Sequence, residues 1–162
     1  MAQLQKKENA EVLLSELENS LDSTKEYIFC QNAIVNAVLA EKQKDCDSAD
    51  IRLESDISID EDCNITQIHL CSIFTNLLDN AILACKAVSK EQRKIELRTI
   101  VKGDYLHIKC VNPVADNLEK GRSGKGYGKI ILSDIASHYG GDFTAERNDD
   151  TYVAMMSLLF VQ

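Results

Sequence analysis

Two asparagines lie one helical turn apart in the apolar segment FTNLLDNAILACK, which covers residues 74–86. Asn76 and Asn80 are four residues apart, so a helix places both carboxamides on one face. An amide oxygen is a neutral, hard ligand that suits Mg²⁺, an ion that keeps waters and phosphate oxygens in its coordination shell. Both residues are therefore candidates for the metal side of a nucleotide site. The alternative is that the two amides cap or bridge neighbouring elements.

A glycine-bearing segment, SGKGYGK at residues 123–129, supplies a second candidate chemistry. Gly124, Gly126 and Gly128 occupy alternate positions directly before a predicted helix. Glycines allow backbone N–H groups to approach a ligand closely, and the helix N-terminus adds partial positive charge. The pattern favours a phosphate-binding loop, although flexible loops share it. It is neither a Walker loop nor a Rossmann loop, because the GK[ST] spacing and a surrounding βαβ unit are both missing.

A third polar residue, Asn112, ends an apolar strand in the stretch CVNPV at residues 110–114. Its amide offers both a donor and an acceptor, which match the edge of an adenine base. In the alternative interpretation Asn112 and Pro113 start a turn, which is a common role for this dipeptide. Positive charge also gathers around the glycines, at Lys120, Arg122, Lys125 and Lys129. A triphosphate site is expected to need such a local concentration of cations in an acidic chain.

The predicted elements indicate how these residues are positioned. Apolar periodicity predicts four helices, at residues 3–21, 33–46, 65–89 and 127–140. Runs between turn signals predict five strands, at residues 50–59, 94–102, 105–112, 142–148 and 151–160. Asn32 is the expected N-cap of the second helix, and Gly140 and Gly141 are the expected C-cap of the last. Antiparallel strands with helices collected on one face indicate an α+β sandwich.

The first two predicted helices precede the strands and divide the chain into two parts. Residues 1–48 are predicted to be a helical segment, and residues 49–162 to be a folded domain. Two amphipathic helices ahead of a domain suggest a hairpin or coiled-coil element that dimerises. The alternative is that both helices pack on their own domain.

Composition and charge exclude several classes of protein. The chain has 162 residues, of which 44% are hydrophobic and 27% charged, as expected for one domain with a helical extension. A net charge of −8 argues against a generic nucleic-acid surface and a polybasic membrane contact. No apolar run approaches the roughly 20 residues that cross a bilayer, and the N-terminus has no signal-peptide pattern. The six cysteines form no CxxC and are expected to be reduced, small hydrophobic residues of a cytosolic protein.

The order of these motifs is more specific than any one of them. The succession of motifs resembles that of the GHKL ATPase superfamily. It consists of Asn-x-x-x-Asn on a long helix, a strand that ends in a polar residue, a short lid, GxGxG and a second helix. NLLDNAILAC resembles the N-box, and GKGYGKIILSDIASHYGG resembles the G2-box with its following helix. Over about residues 29–160 the sequence is similar to the catalytic ATP-binding domain of sensor histidine kinases. This resemblance implies a two-layer α/β sandwich, the Bergerat-type ATP-binding fold, with ATP and Mg²⁺ as cofactors.

The resemblance also implies a role for each matching residue. Asn80 would coordinate Mg²⁺, Asn76 would be the catalytic residue of the same site, and Asn112 would replace the aspartate that bonds adenine. An amide accepts no proton at neutral pH, so Asn76 favours phosphoryl transfer to a protein over ATP hydrolysis. The implied ATP-binding residues are Asn76, Asn80, Asn112, Gly124, Lys125, Gly126, Tyr127 and Gly128.

The short lid and Asn112 are typical of one subgroup, the peptide-sensing, quorum-type kinases whose partner response regulators carry LytTR DNA-binding domains. Membership implies a homodimer that is the cytoplasmic part of a membrane-anchored sensor and that does not itself bind nucleic acid. The three histidines, His69, His107 and His138, stand in no phosphoacceptor context. The expected function is therefore to bind Mg-ATP and transfer its γ-phosphoryl group to a histidine in a segment upstream of this chain.

Two other functions stay open at this point. The chain is alternatively a GHKL serine kinase of the anti-sigma-factor type, which acts on a separate protein and needs no histidine of its own. The second alternative is that the chain is a degenerate, non-catalytic scaffold that dimerises and docks a regulator. Leu83, which stands where many histidine kinases have a phosphate-contacting lysine, keeps the scaffold interpretation open. So does the absence of the usual DxG glycine after Asn112.

Overall fold

The computed structural model describes residues 29–115 and 127–161, together with Val12. The predicted helix over residues 3–21 lies outside the described residues except for Val12, which is helical. The described helices are α1 (Ala33–Ser48), α2 (Gln67–Lys86) and α3 (Tyr127–His138), with a 3₁₀ turn at Lys90–Gln92. The strands are β1 (Arg52–Asp56), β2 (Lys94–Lys102), β3 (Tyr105–Pro113), β4 (Phe143–Asn148) and β5 (Thr151–Leu159).

The five strands form one mixed sheet in the order β1-β2-β3-β5-β4. Three neighbouring pairs are antiparallel. The hairpin signals predict two of them, β2 with β3 and β4 with β5, whereas β3 and β5 are distant in sequence. β1 is shorter than the predicted strand and runs parallel to β2, which differs from an all-antiparallel expectation. The physical reason is that α2 connects β1 to β2, and a helical crossover returns the chain in the same direction.

One face of the sheet carries the helices and holds the core. Side chains alternate across a strand, and the buried alternate positions face α2 and α3. These positions are Ile95, Leu97, Leu106, Ile108, Cys110, Ala154, Met156 and Leu158. From α2 come the apolar residues Phe74, Leu77, Leu78, Ala81 and Ile82, all buried as their periodicity predicts. The expected α+β sandwich is confirmed.

The helix α2 buries eight of its 20 residues, all of them apolar. Within the described part of the chain it is the one helix whose length and composition alone would allow it to cross a bilayer, which the search for apolar runs missed. The core helices of water-exposed domains satisfy the same criterion of length and composition. In this structure the apolar stripe of α2 packs on the sheet. The criterion is therefore weak support for a membrane span.

The helix α1 packs against α2 with Val35, Leu39 and Cys46 fully buried. Its start is defined by Asn32, whose Oδ1 accepts hydrogen bonds from the backbone N–H groups of Ile34 and Val35 at 3.1 Å each. This confirms the predicted N-cap. The division of the chain between residues 48 and 49 stays a prediction.

Two helices end in the same hydrogen-bonded cap. At the end of α3, Gly140 has a φ of 69°, and the N–H of Gly141 donates to the carbonyl of Ala136 at 2.8 Å. At the end of α1, Asp50 has a φ of 55°, and the N–H of Ile51 donates to Cys46 at 2.8 Å. Both are Schellman caps with one left-handed residue. The predicted glycine cap of α3 is confirmed.

All six cysteines are free thiols, and three of them lie in the core. Burial raises the pKa of Cys46 and of Cys110 to about 12, and that of Cys85 to about 11. These thiols are therefore protonated at neutral pH and pack as small hydrophobic side chains.

Candidate functional site

The N-terminal end of α3 lies against the asparagine face of α2. A Cβ atom built on Gly128 would be 3.3 Å from Asn80 Nδ2 and 3.4 Å from Asn76 Oδ1. The tertiary structure thus brings the last glycine of the GxGxG segment next to both asparagines. Because Gly128 has no side chain, the backbone at the start of α3 can lie close to the two carboxamides.

The two carboxamides differ in how they are held. Asn76 is half-buried, and its Nδ2 donates to the carbonyl of Ser72 at 2.7 Å, which directs Oδ1 towards Gly128. Asn80 is exposed, and its side chain makes no hydrogen bond to any other described residue. Both amides lie beside the apolar stripe of α2 rather than within it. Neither is therefore a buried polar group that lacks a hydrogen-bond partner. Their oxygens are available as ligands.

The third predicted site residue, Asn112, is on the sheet rather than at its edge. Its side chain is only 4% exposed, and β3 continues through Pro113 instead of ending at Asn112. The Nδ2 of Asn112 donates to the carbonyl of Pro113 at 2.8 Å. Among the described residues Oδ1 has no hydrogen-bond partner, so this acceptor is free, and its predicted contact with adenine stays a prediction.

A second group of side chains beside Asn112 was not identified from the sequence. Tyr152 lies directly opposite Asn112 in the β3–β5 register, and Arg147 lies opposite Tyr152 in β4. The ammonium of Lys129, in the first turn of α3, is 5.3 Å from the centre of the Tyr152 ring. In the sequence only Lys129, as one of the lysines near the glycines, pointed to this group. The register between β3, β5 and β4 cannot be read from local patterns, because a long connection separates β3 from β5.

The remaining predicted residues fall into two groups. Gly124, Lys125 and Gly126 lie outside the described residues, so their roles stay predictions. Tyr127 begins α3 and is 70% exposed. Leu83 is 60% exposed, one turn beyond Asn80, and contributes no charge to this face of α2.

The neighbouring flank of α2, which faces α1, carries a different set of polar contacts. Lys42 of α1 forms an ion pair with Asp79 at 2.5 Å, and the Lys42 side chain is only 15% exposed. Burial lowers the pKa of Lys42, but the hydrogen bond and negative charge of Asp79 raise it overall, so the Lys42 ammonium is charged at neutral pH. A groove of about 690 Å³ lies on this flank, lined by residues that include Asp79, Leu83 and Arg93. Neither Asn76 nor Asn80 lines it.

A family model for the GHKL domain matches residues 65–159, which include α2, α3 and four of the five strands. The chain belongs to the GHKL family.

Solved structures of histidine kinases share the fold of this GHKL domain. The nucleotide-free catalytic domain of histidine kinase ThkA has a TM-score of 0.57 at 16% identity, over 78% of this chain and 90% of that chain. The Acinetobacter baumannii histidine kinase AdeS has a TM-score of 0.59 at 17% identity, over 93% and 80% of the two chains. Full-length ShkA in complex with AMPPNP has a TM-score of 0.57 at 14% identity, over 80% and 30%. A search of curated proteins returns no match.

These similarities support a coarse assignment. The chain has the fold of the histidine kinase catalytic structures, and its family membership indicates a GHKL ATP-binding domain. At these identities the solved structures establish the fold alone. The part each residue plays in this GHKL domain must therefore be argued from its own contacts.

Proposed function

We propose that this GHKL domain is the catalytic, ATP-binding part of a two-component sensor histidine kinase. It binds Mg-ATP between α2 and α3 and transfers the γ-phosphoryl group to a histidine outside this sequence. The observation that carries the proposal is the contact of Gly128 with Asn76 and Asn80. It joins a metal-type amide pair to the start of a helix, where backbone N–H groups favour phosphate.

The described residues suit a metal that arrives with its nucleotide. Across residues 29–115 and 127–161, no group of three His, Cys, Asp or Glu side chains is placed to hold a metal ion. Mg²⁺ needs only one or two protein ligands when phosphates complete its shell, and an amide oxygen is suitable. Asn80 would hold the ion with Asn76 beside it, and the bound ion would neutralise phosphate charge during transfer.

The chain's own histidines are engaged elsewhere. His69 Nδ1 lies 2.6 Å from the hydroxyl of Tyr139, and His107 Nδ1 lies 3.0 Å from Ser157 Oγ on the open face of the sheet. His138 packs beside His69 and Tyr139 at the far end of α3. None contacts Asn76 or Asn80, so the proposal assigns the acceptor histidine to another segment. Asn76 cannot act as a general base, which favours such transfer over hydrolysis by water.

The proposal extends to the cellular setting on the strength of the sequence resemblance. The kinase would be a homodimer of the peptide-sensing, quorum-type subgroup, with its ATP-binding domain in the cytoplasm below a membrane anchor. Its partner would be a response regulator of the LytTR type. The short segment between β3 and α3 and the asparagine at position 112 support this part.

Calorimetric titration with Mg-ATP tests the central claim. The parent chain should bind, and Asn80→Ala should lower the affinity about 100-fold, or about 2.7 kcal/mol, while its thermal midpoint stays unchanged. Asp79→Ala is the matched control, because Asp79 is the neighbouring polar residue of α2 but faces α1. It should reduce stability slightly and leave the affinity intact.

Three outcomes would count against the proposal. No binding by the parent chain would contradict it and favour a non-catalytic scaffold. Equal affinity in Asn80→Ala would remove the metal role assigned to that residue. Phosphoserine, in place of acid-labile phosphohistidine, on a partner incubated with the chain and Mg-ATP would favour the anti-sigma-type serine kinase.

A further inference from the structure

Lys129, in the first turn of α3, has its ammonium over an aromatic ring of the sheet. It is half-buried, and its Nζ lies 5.3 Å from the centre of the Tyr152 ring. A lysine ammonium within about 6 Å of an aromatic face is attracted by the negative face of the ring. The side chain of Lys129 is therefore directed at the sheet rather than into solvent.

The ring that holds Lys129 belongs to a row of side chains on the helix-covered face. Asn112, Tyr152 and Arg147 are consecutive across β3, β5 and β4, and directly opposite residues project to the same face. Arg147 donates to the backbone carbonyls of Ala115 and Asp149, at 3.1 and 3.3 Å. The side chains of this row with Lys129 thus include two cations and no acid, in a chain of net charge −8.

Lys129 also lies close to the asparagine pair. It follows Gly128, whose Cβ position is 3.3 Å from Asn80 Nδ2. Adjacent Cα atoms are about 3.8 Å apart, and a lysine ammonium moves on a flexible four-carbon stem. The ammonium over the Tyr152 ring therefore belongs to the residue next to Gly128, at the end of α3 where the proposed function places the phosphates.

We propose that Lys129 binds the phosphate chain of the nucleotide, and that Tyr152 is the positioning residue that keeps its ammonium at the site. This inference rests on the proposed function, since it takes ATP as the ligand. Lys129 would then supply, from α3, positive charge that the exposed Leu83 does not supply from α2. The competing interpretation is that Lys129 and Tyr152 form a purely structural contact.

Affinities for ATP, ADP and adenosine, measured by calorimetry, distinguish the two interpretations. Lys129→Gln should weaken ATP binding about tenfold and ADP binding less, and should leave adenosine affinity within twofold of the parent. Lys129→Arg should restore most of the ATP affinity. The matched control is Lys109→Gln, which makes the same change in net charge on the open face of the sheet, and it should leave all three affinities unchanged.

The role of Tyr152 is tested by a double-mutant cycle with Lys129→Gln. Tyr152→Phe keeps the ring and should bind ATP as the parent does. Tyr152→Leu should weaken ATP binding about threefold, and in the Lys129→Gln background it should cause no further loss. Additive losses would contradict the claim that Tyr152 acts through Lys129.

The experiment separates failure of this inference from failure of the proposed function. If the parent binds ATP in an Asn80-dependent manner and Lys129→Gln binds equally well, only the role of Lys129 is overturned. If Lys129→Gln weakens adenosine as much as ATP, the contact is structural and the inference is again overturned. If the parent binds no nucleotide, both the inference and the proposed function are overturned.

Discussion

The two ends of α3 both depend on glycine, but their glycines contact different kinds of atom. At the start, Gly128 lies against the tips of two asparagine side chains, with Cβ distances of 3.3 to 3.8 Å. After the end, a Cβ on Gly141 would lie 1.7 Å from the carbonyl oxygen of Ser157 in β5. Side-chain tips can move by a few tenths of an ångström, whereas a strand backbone inside a sheet cannot.

The contrast separates the end that we propose binds nucleotide from a structural end. At the structural end hydrogen bonds tie the helix to its neighbours. The carbonyl of Tyr139 accepts from Leu159 at 2.9 Å, and the Tyr139 hydroxyl accepts from the N–H of Thr66 at 3.0 Å. At the other end Asn80 has no such partner among the described residues. A polar group left free beside a glycine is a better sign of function than one already bonded.

The largest effect is expected at Gly141. Gly141→Ala should lower the free energy of unfolding by about 3 kcal/mol or more, because the new methyl group overlaps backbone atoms of β5. Urea denaturation measures the loss. Gly103→Ala is the control, since Gly103 also has a positive φ, 62°, but has open space around it. It should cost only about 1 kcal/mol, and equal losses would contradict the overlap.

Gly128→Ala should have the opposite profile. The methyl group displaces the carboxamides of Asn76 and Asn80, so ATP affinity should fall about tenfold, or about 1.4 kcal/mol. Alanine is the better helix former, so the thermal midpoint should stay constant or rise. Calorimetric titration together with thermal denaturation tests both parts. A destabilised variant with full affinity would remove the contrast between the two ends of α3.

The tyrosine at the structural end should affect stability without affecting binding. Tyr139→Phe removes the acceptor for Thr66 N–H at the start of α2 and the hydrogen-bond partner of His69. We expect a loss of about 1 kcal/mol in the free energy of unfolding and an unchanged ATP affinity. Tyr105→Phe is the control, because the Tyr105 hydroxyl bonds no other described residue. A loss of affinity in Tyr139→Phe would show that this end also contributes to the site.

The smallest effect concerns the matching cap of α1. There a left-handed aspartate, Asp50, occupies the position that Gly140 occupies after α3. Asp50→Gly should raise the free energy of unfolding by about 0.5 kcal/mol, since glycine adopts this conformation without steric cost. The exposed ion pair of Asp50 with Lys90 contributes little, which Lys90→Ala would verify. Destabilisation by Asp50→Gly would mean that the aspartate side chain has a role of its own.

Local signals predicted most of the fold. The strand from Lys94 to Lys102, the Asn32 cap and the buried stripe of α2 are as expected, because each depends on periodicity or on a nearby backbone group. The direction of β1 was missed, because its pairing with β2 across the α2 crossover is set by the tertiary structure rather than by a local pattern. The apolar length of α2 was also underestimated, because Asn76 and Asn80 interrupt the run without interrupting the helix.

The candidate site was predicted only in part, and the physical reason is the range of the interactions. The sequence by itself determined that Asn76 and Asn80 share one helix face and that glycines precede another helix, because both follow from helical spacing. Only the tertiary structure decided that Gly128 meets those amides and that Tyr152 lies opposite Asn112. These contacts depend on helix packing and strand register, which the whole core sets rather than any local segment.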